Sequence, residues 1–285
     1  MKNYLIFVSC CIFCIICFKL RPIPFDCPAD ILTFKDDGRW SIQLWSYVSI
    51  WSIARINDRW RPYVPKYTLK RFQSVFIRSS VTLKRFETLP IKCQHRVYSI
   101  GGPLEEPGDR ILAFQFNPEM YAELVFFLKT ELKKQFIFRK KFRTYADNLI
   151  EYGKKRMKKQ DAGLITPIAV LLSGRLQKNS QECKYYVSSM EWFRKNVKNP
   201  LFIVVGFTYL NKNNIEVFHR EDLVMGTKNS FGYILAVISR CNNLILDKGP
   251  LAMFGALFAH GYVHVYDPGR LDFMYNFTNW IVHQK

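Results

Sequence analysis

From about Leu164 to Tyr266 the chain alternates short apolar runs with stretches of helical periodicity, and this alternation limits its fold more than any other feature. Ile168–Leu172, Leu201–Val205, Leu244–Leu246 and Tyr262–Tyr266 are brief and almost wholly apolar, as strands buried on both faces of a sheet must be. Between them, helical patterns run through Met190–Val197, Phe231–Cys241 and Pro250–Ala259. Strands that alternate with helices wind into a parallel, Rossmann-like unit, where ligands bind beyond the carboxyl ends of the strands.

The preceding half is more varied. Gln43–Arg59 carries apolar groups at helical spacing, just after a loop containing Asp36, Asp37 and Gly38. Pro65 interrupts that pattern, and the strand-like pieces Ser74–Ile77 and Val81–Phe86 follow. Pro118–Gln135 and Lys141–Lys159 read as amphipathic helices with basic exposed faces. The expected division is a flanked apolar segment at 1–22, an N-terminal α/β domain at 23–163 and a C-terminal Rossmann-like domain at 164–285. With 49% hydrophobic and 16% aromatic residues in 285, the chain can bury full cores, which excludes general disorder.

Tyr4–Phe18 is an apolar run of 15 residues between Lys2 and Lys19. It is short against the roughly 20 residues that span a bilayer, so a signal-peptide core and a permanent anchor both fit. The absence of a small-x-small cleavage pattern behind it, and the fit of a short span to the thin membranes of the early secretory pathway, favour a signal-anchor. The Pro-rich Leu20–Asp30 reads as a stem. The formal charge of +19 points to anionic partners; the basic runs Lys133–Arg143 and Lys154–Lys159 fall on helical faces, so solvated surfaces fit them better than a nucleic-acid groove.

Of eight cysteines, Cys10, Cys11, Cys14 and Cys17 lie in the apolar run. Cys27, Cys93, Cys183 and Cys241 remain as possible disulfide partners, with all three connectivities open, although Cys241 at the end of an apolar helix also reads as a buried thiol. Asn276-Phe-Thr is a sequon that a lumenal chain can glycosylate.

Three blocks stand in order along the chain: Gly38–Pro65 (GRWSIQLWSYVSIWSIARINDRWRPYVP), Ile168–Leu176 (IAVLLSGRL) and Ile234–Phe258 (ILAVISRCNNLILDKGPLAMFGALF). Together they resemble the galactoside alpha-1,2-fucosyltransferase family. That family has a GRLGNQ loop opening a helix that ends in NGR and a proline, a strand running into HxRRxD, and DLALLSQCNH followed by a strand and GTFGWWAAYL. Tyr121–Phe138, Phe142–Arg156 and Tyr185–Val205 resemble the segments flanking the second motif. The resemblance implies an α/β, GT-B-like fold of two Rossmann-like domains with a donor cleft between them, preceded by an N-terminal transmembrane anchor. It further implies GDP-fucose as donor, a β-galactoside-terminated glycan as acceptor, inversion at the transferred sugar, no cofactor and no required metal. A single-pass type II protein of the Golgi membrane, with its catalytic domain in the lumen and no nucleic-acid partner, is the matching expectation.

A sugar-nucleotide transferase must hold a diphosphate that gains charge as the glycosidic bond breaks, using arginine side chains and backbone N–H groups at tight, glycine-bearing turns. The donor-binding expectations are therefore Gly38, Arg39 and Gln43 in the first block, Arg175 in the second and Gly249 in the third. Other motif positions differ. Ser41 and Ile42 stand for Gly and Asn; Leu171, Ser173, Gly174 and Leu176 stand across HxRRxD; Ile234 stands for the acid and Asn243 for the histidine of DLALLSQCNH. These replacements keep a second reading open, a catalytically inactive transferase-fold protein that binds glycans or secretory partners. No residue is assigned as catalytic base. Asp36 and Asp37 read as turn acids, Glu191, Glu221 and Asp222 are unplaced, and His260 and His264 flank a buried strand as structural histidines would.

Overall fold

The computed structural model describes residues 27–28, 30–35, 38–58, 60–77, 84–94, 97–100, 111–114, 121–157, 165–172, 180–206, 220–247, 249–266, 277 and 279–283. The apolar run, Asp36, Asp37, Arg175 and Asn276 lie outside these residues. Among the described residues, no helix is long and apolar enough to cross a membrane.

The first unit begins with β1 (Ile31–Phe34), α1 (Trp40–Ile56), β2 (Arg61–Val64), α2 (Lys66–Val75) and β3 (Lys84–Arg85). A 3-10 turn (Phe86–Thr88), α3 (Ile91–Gln94), β4 (Val97–Ile100) and β5 (Ile111–Phe114) complete its sheet. The five strands lie in the order β3-β2-β1-β5-β4, all in parallel, with Ile31 opposite both Arg61 and Ile111. α1 is buried without interruption from Gln43 to Ile53, because one side covers β1 and β2 while the other meets the second unit. A helix enclosed on all sides has no polar stripe. Ser49 Oγ donates within the helix to the Trp45 carbonyl at 2.9 Å.

Two sequence expectations change here. Ser74–Ile77 is not a strand: apolar spacing at Leu69, Phe72 and Val75 continues α2 to Val75, and only Phe76 makes an isolated antiparallel bridge, with Phe138. The expected helix over 118–135 is divided at Leu128 into α4 (Ala122–Phe127) and α5 (Lys129–Gln135). The turn lets Phe126 on one piece and Leu132 on the other both reach the core.

After α6 (Lys140–Arg156), the second sheet collects β6 (Thr166–Leu172), β7 (Pro200–Gly206), β8 (Leu223–Met225), β9 (Asn243–Leu246), β10 (Val263–Tyr266) and β11 (Trp280–His283). Its helices are α7 (Gln181–Asn196), α8 (Phe231–Ile238) and α9 (Pro250–Ala256). The order is β11-β10-β9-β6-β7-β8, again all parallel. This is the doubly wound arrangement, whose winding reverses between β6 and β9. Alternate residues of β6 serve opposite faces: Ile168, Val170 and Leu172 pack toward Tyr186 and Phe193 of α7, while Ala169 and Leu171 join the core shared by α6, α8 and α9. That core continues through α1 into the first unit. The sequence boundary at 163/164 separates the two sheets, but α6 on its N-terminal side packs on β7, β8 and α8.

Cys27 and Cys93 form a disulfide with 5.6 Å between their Cα atoms, tying the approach to β1 to α3. Cys183 and Cys241 are buried thiols, which corrects their listing among the disulfide candidates. They pack on opposite faces of the second sheet, so the strands lie between them.

Candidate functional site

In a parallel α/β unit, the helix after a strand starts at that strand's carboxyl end. α1 follows β1 and α8 follows β8, and the rings of their first residues, Trp40 and Phe231, stack at 5.3 Å with 13° between planes. The carboxyl ends of β1 and β8 therefore lie close together where the two units meet. Each sheet contains a point where neighbouring strands wind in different directions. β1 lies between β2 and β5 in the first sheet, and β6 meets β9 in the second.

The loops leaving these strands contain Gly38 and Gly249, both in left-handed backbone, with φ of +79° and +112°. A Cβ at either position would meet nothing within 4 Å among the described residues. Backbone conformation calls for glycine at both. Arg39, exposed at the start of α1, has extended backbone geometry. Gln43 is fully buried, and its Oε1 accepts from Arg71 Nη1 at 3.2 Å while the same nitrogen donates to the Gly38 carbonyl at 2.8 Å. Arg71 thus holds the Gly38 turn against Gln43 from α2.

In the second unit, Gly249 precedes Pro250, the first residue of α9, and its carbonyl accepts from Met253 N at 3.1 Å. Two residues earlier, Asp247 is a carboxylate only 2% exposed. Consecutive tyrosines of α7 reach the ends of both strands at the winding reversal. Tyr185 Oη donates to the Leu246 carbonyl at 2.6 Å, and Tyr186 Oη to the Leu171 carbonyl at 2.8 Å. Burial, reinforced by the Asp247 charge, raises both phenols well above their ordinary range and keeps them as donors. Arg175 follows β6 in the sequence and lies outside the described residues.

The remaining candidates sit elsewhere. Glu221 and Asp222 precede β8 and so occupy the opposite edge of the sheet. Asp222 accepts from Arg194 at 2.8 and 3.2 Å, and Glu191 accepts from the same guanidinium at 2.8 Å. A cavity of about 340 Å³ lined by Asp147, Ile150, Glu151, Lys154, Pro167 and Arg240 also lies toward that edge, beside the start of β6. His264 is fully buried, with Nδ1 at 3.0 Å from His283 Nε2. Burial, then the neighbouring His283, lowers its pKa to about 3, as befits a structural imidazole. His260 Nε2 lies 3.0 Å from Lys133 Nζ, whose pKa partial burial and Lys129 bring down to about 8.

Sequence reasoning missed Arg71, Tyr185, Tyr186 and Asp247. An acid directly after the apolar run Leu244–Leu246 was a usable signal, since strand ends in such sheets carry function. Nothing local distinguishes Arg71 among the basic residues of α2.

No known family profile matches the chain, and no curated protein matches it in sequence. Solved structures do. NodZ alpha-1,6-fucosyltransferase co-crystallised with GDP is 12% identical with a TM-score of 0.49, over 83% of this chain and 94% of that one. A glycosyl transferase family 9 protein from Veillonella parvula is 8% identical with a TM-score of 0.46, over 90% and 85%. POFUT1 in complex with GDP is 8% identical with a TM-score of 0.38, over 81% and 94%. At these identities and scores they are similarities, and the functional reading rests on the chain's own residues.

Proposed function

We propose that the protein is a GDP-fucose-dependent galactoside 2-alpha-fucosyltransferase of the secretory pathway, with the donor held between two Rossmann-like domains in a GT-B-like arrangement. The observation that carries this reading is the meeting of two parallel sheets near the carboxyl ends of β1 and β8, each sheet presenting a left-handed glycine beside the strand where its winding changes. The three ordered sequence blocks supply the donor and acceptor classes. In the reaction, the galactose 2-hydroxyl oxygen attacks the anomeric carbon of fucose, the bond to the β-phosphate oxygen breaks, and GDP leaves with the electron pair. The hydroxyl proton passes to a general base. Arg39 and Arg175 meet the charge gained by the diphosphate, Gly38 and Gly249 permit close backbone approach, and Gln43 acts through Arg71 to fix the Gly38 turn. The Cys27–Cys93 disulfide suits an oxidising lumen. With Tyr4–Phe18 as signal-anchor, the protein is a type II Golgi-membrane enzyme in this reading, and Asn276 is its glycosylation site.

One observation favours the alternative, an inactive transferase-fold protein that binds glycans: buried Asp247 places a carboxylate two residues before Gly249, near the path of an incoming diphosphate. The detergent-solubilised full chain should transfer labelled fucose from GDP-fucose to a β-galactoside, with the label on the 2-hydroxyl by linkage analysis. GDP binding without transfer, or glycan binding without GDP binding, selects the alternative.

A further inference from the structure

Where the two units meet near the carboxyl end of β8, the half-buried surface has a distinct chemistry. Trp40 and Phe231 stack across the two units. Tyr233, on α8, packs against Phe142 at 4.8 Å and Tyr145 at 4.9 Å, both on α6. Lys228 Nζ lies 5.4 Å over the Tyr233 ring and Lys141 Nζ lies 4.7 Å over the Phe142 ring. The Tyr145 hydroxyl accepts from the backbone N–H of Thr227 and Lys228 at 2.9 and 3.1 Å, which fixes the loop that carries Lys228. Trp40, Phe231, Tyr233 and Tyr145 are half-buried, while Lys228, Asn229, Ser230 and Lys141 are exposed. The result is a packed aromatic wall with exposed ammonium groups above it.

The surrounding elements are nearly free of acid. Residues 38–57, 61–77, 132–146 and 223–246 contain no Asp or Glu, yet they carry Arg39, Arg71, Arg139, Lys140, Lys141, Arg143 and Lys228. The nearest described carboxylates along α6 are engaged, Asp147 with Arg240 and Glu151 with Lys154. Asp36 and Asp37, before Gly38, fall outside the described residues. Charges of one sign along a cleft focus its potential on an anion. The donor diphosphate does not account for this wall, because β8 lies two strands from β6, which is about 10 Å at the usual strand spacing.

We propose that this wall binds an acidic glycan, one bearing a carboxylate or sulfate: the exposed portions of Trp40, Phe231 and Tyr233 take the apolar side of the sugar, and Lys141 and Lys228 pair with its anionic group. Naming that glycan the acceptor rests on the transferase reading; the binding itself does not. The test uses the full chain in a nonionic detergent, titrated with a β-galactosyl disaccharide, its 6-O-sulfated form and its glucuronate-capped form, with GDP titrated in parallel. At least one acidic probe should bind ten-fold or more tighter than the neutral one, with an advantage that shrinks as salt rises. The double variant K141Q/K228Q should lose about that ten-fold advantage while K141R/K228R keeps it, with GDP affinity unaffected by either. Preference for one acidic form over the other distinguishes sulfate from carboxylate. Acidic binding in a chain that does not bind GDP supports the wall and removes the transferase reading. Equal binding of all three sugars, retention of the preference in K141Q/K228Q, or a matching loss of GDP affinity overturns the proposal.

Discussion

Gly38 and Gly249 hold backbone that other residues adopt only with strain, and the two positions are not equivalent. Gly38 lies at φ +79°, near the left-handed region where a side chain costs about 1–2 kcal/mol. Gly249, at φ +112° and ψ 175°, occupies a region populated almost only by glycine, with a cost of roughly 1–3 kcal/mol. Thermal unfolding should therefore show Gly249→Ala losing at least as much stability as Gly38→Ala, and equal, negligible losses would refute the geometry. Tyr186→Phe removes the buried bond to the Leu171 carbonyl at the end of β6 and should cost about 0.5–1.5 kcal/mol in denaturant unfolding. Cys241, whose thiol burial pushes up to about 12, should resist alkylation in the native protein at pH 8 and react only after unfolding.

Among elements, the pair β10–β11 carries the clearest pH dependence. Folded His264 takes a proton only near pH 3, whereas the unfolded imidazole takes one near 6.5. Between those values the unfolded chain binds more protons, so stability is complete above pH 6.5 and declines as the solution is acidified, by at most about 5 kcal/mol. Urea unfolding at pH 7.5 and pH 5.0 should show the loss, and His264→Phe should flatten it; a pH-independent midpoint would contradict the burial of this pair.

The elements differ in how readable they were. β6, β7 and β9 were legible because strands covered on both faces are continuous apolar runs, and α1 was legible from its helical spacing. The end of α2 and the turn at Leu128 were not, since Phe76 answers to Phe138 and the α4–α5 break answers to core packing distant in sequence. The site divides in the same way. Gly38 and Gly249 advertise a backbone need locally, while Arg71 acts on Gly38 from 33 residues away and Tyr185 on Leu246 from 61.

For the molecule as a whole, two parallel sheets meet near the carboxyl ends of β1 and β8, with α1 buried between them and the Trp40–Phe231 stack at the junction. The function proposed for the chain depends on this junction accepting a guanine nucleotide despite buried Asp247, two residues before Gly249. The most direct measurement is a calorimetric titration of the solubilised full chain with GDP, repeated with Arg39→Gln and Arg175→Ala. A donor site predicts one-to-one binding with a Kd of about micromolar order, weakened at least ten-fold in each variant. A folded protein that takes up no GDP, or binding that neither substitution changes, would contradict it.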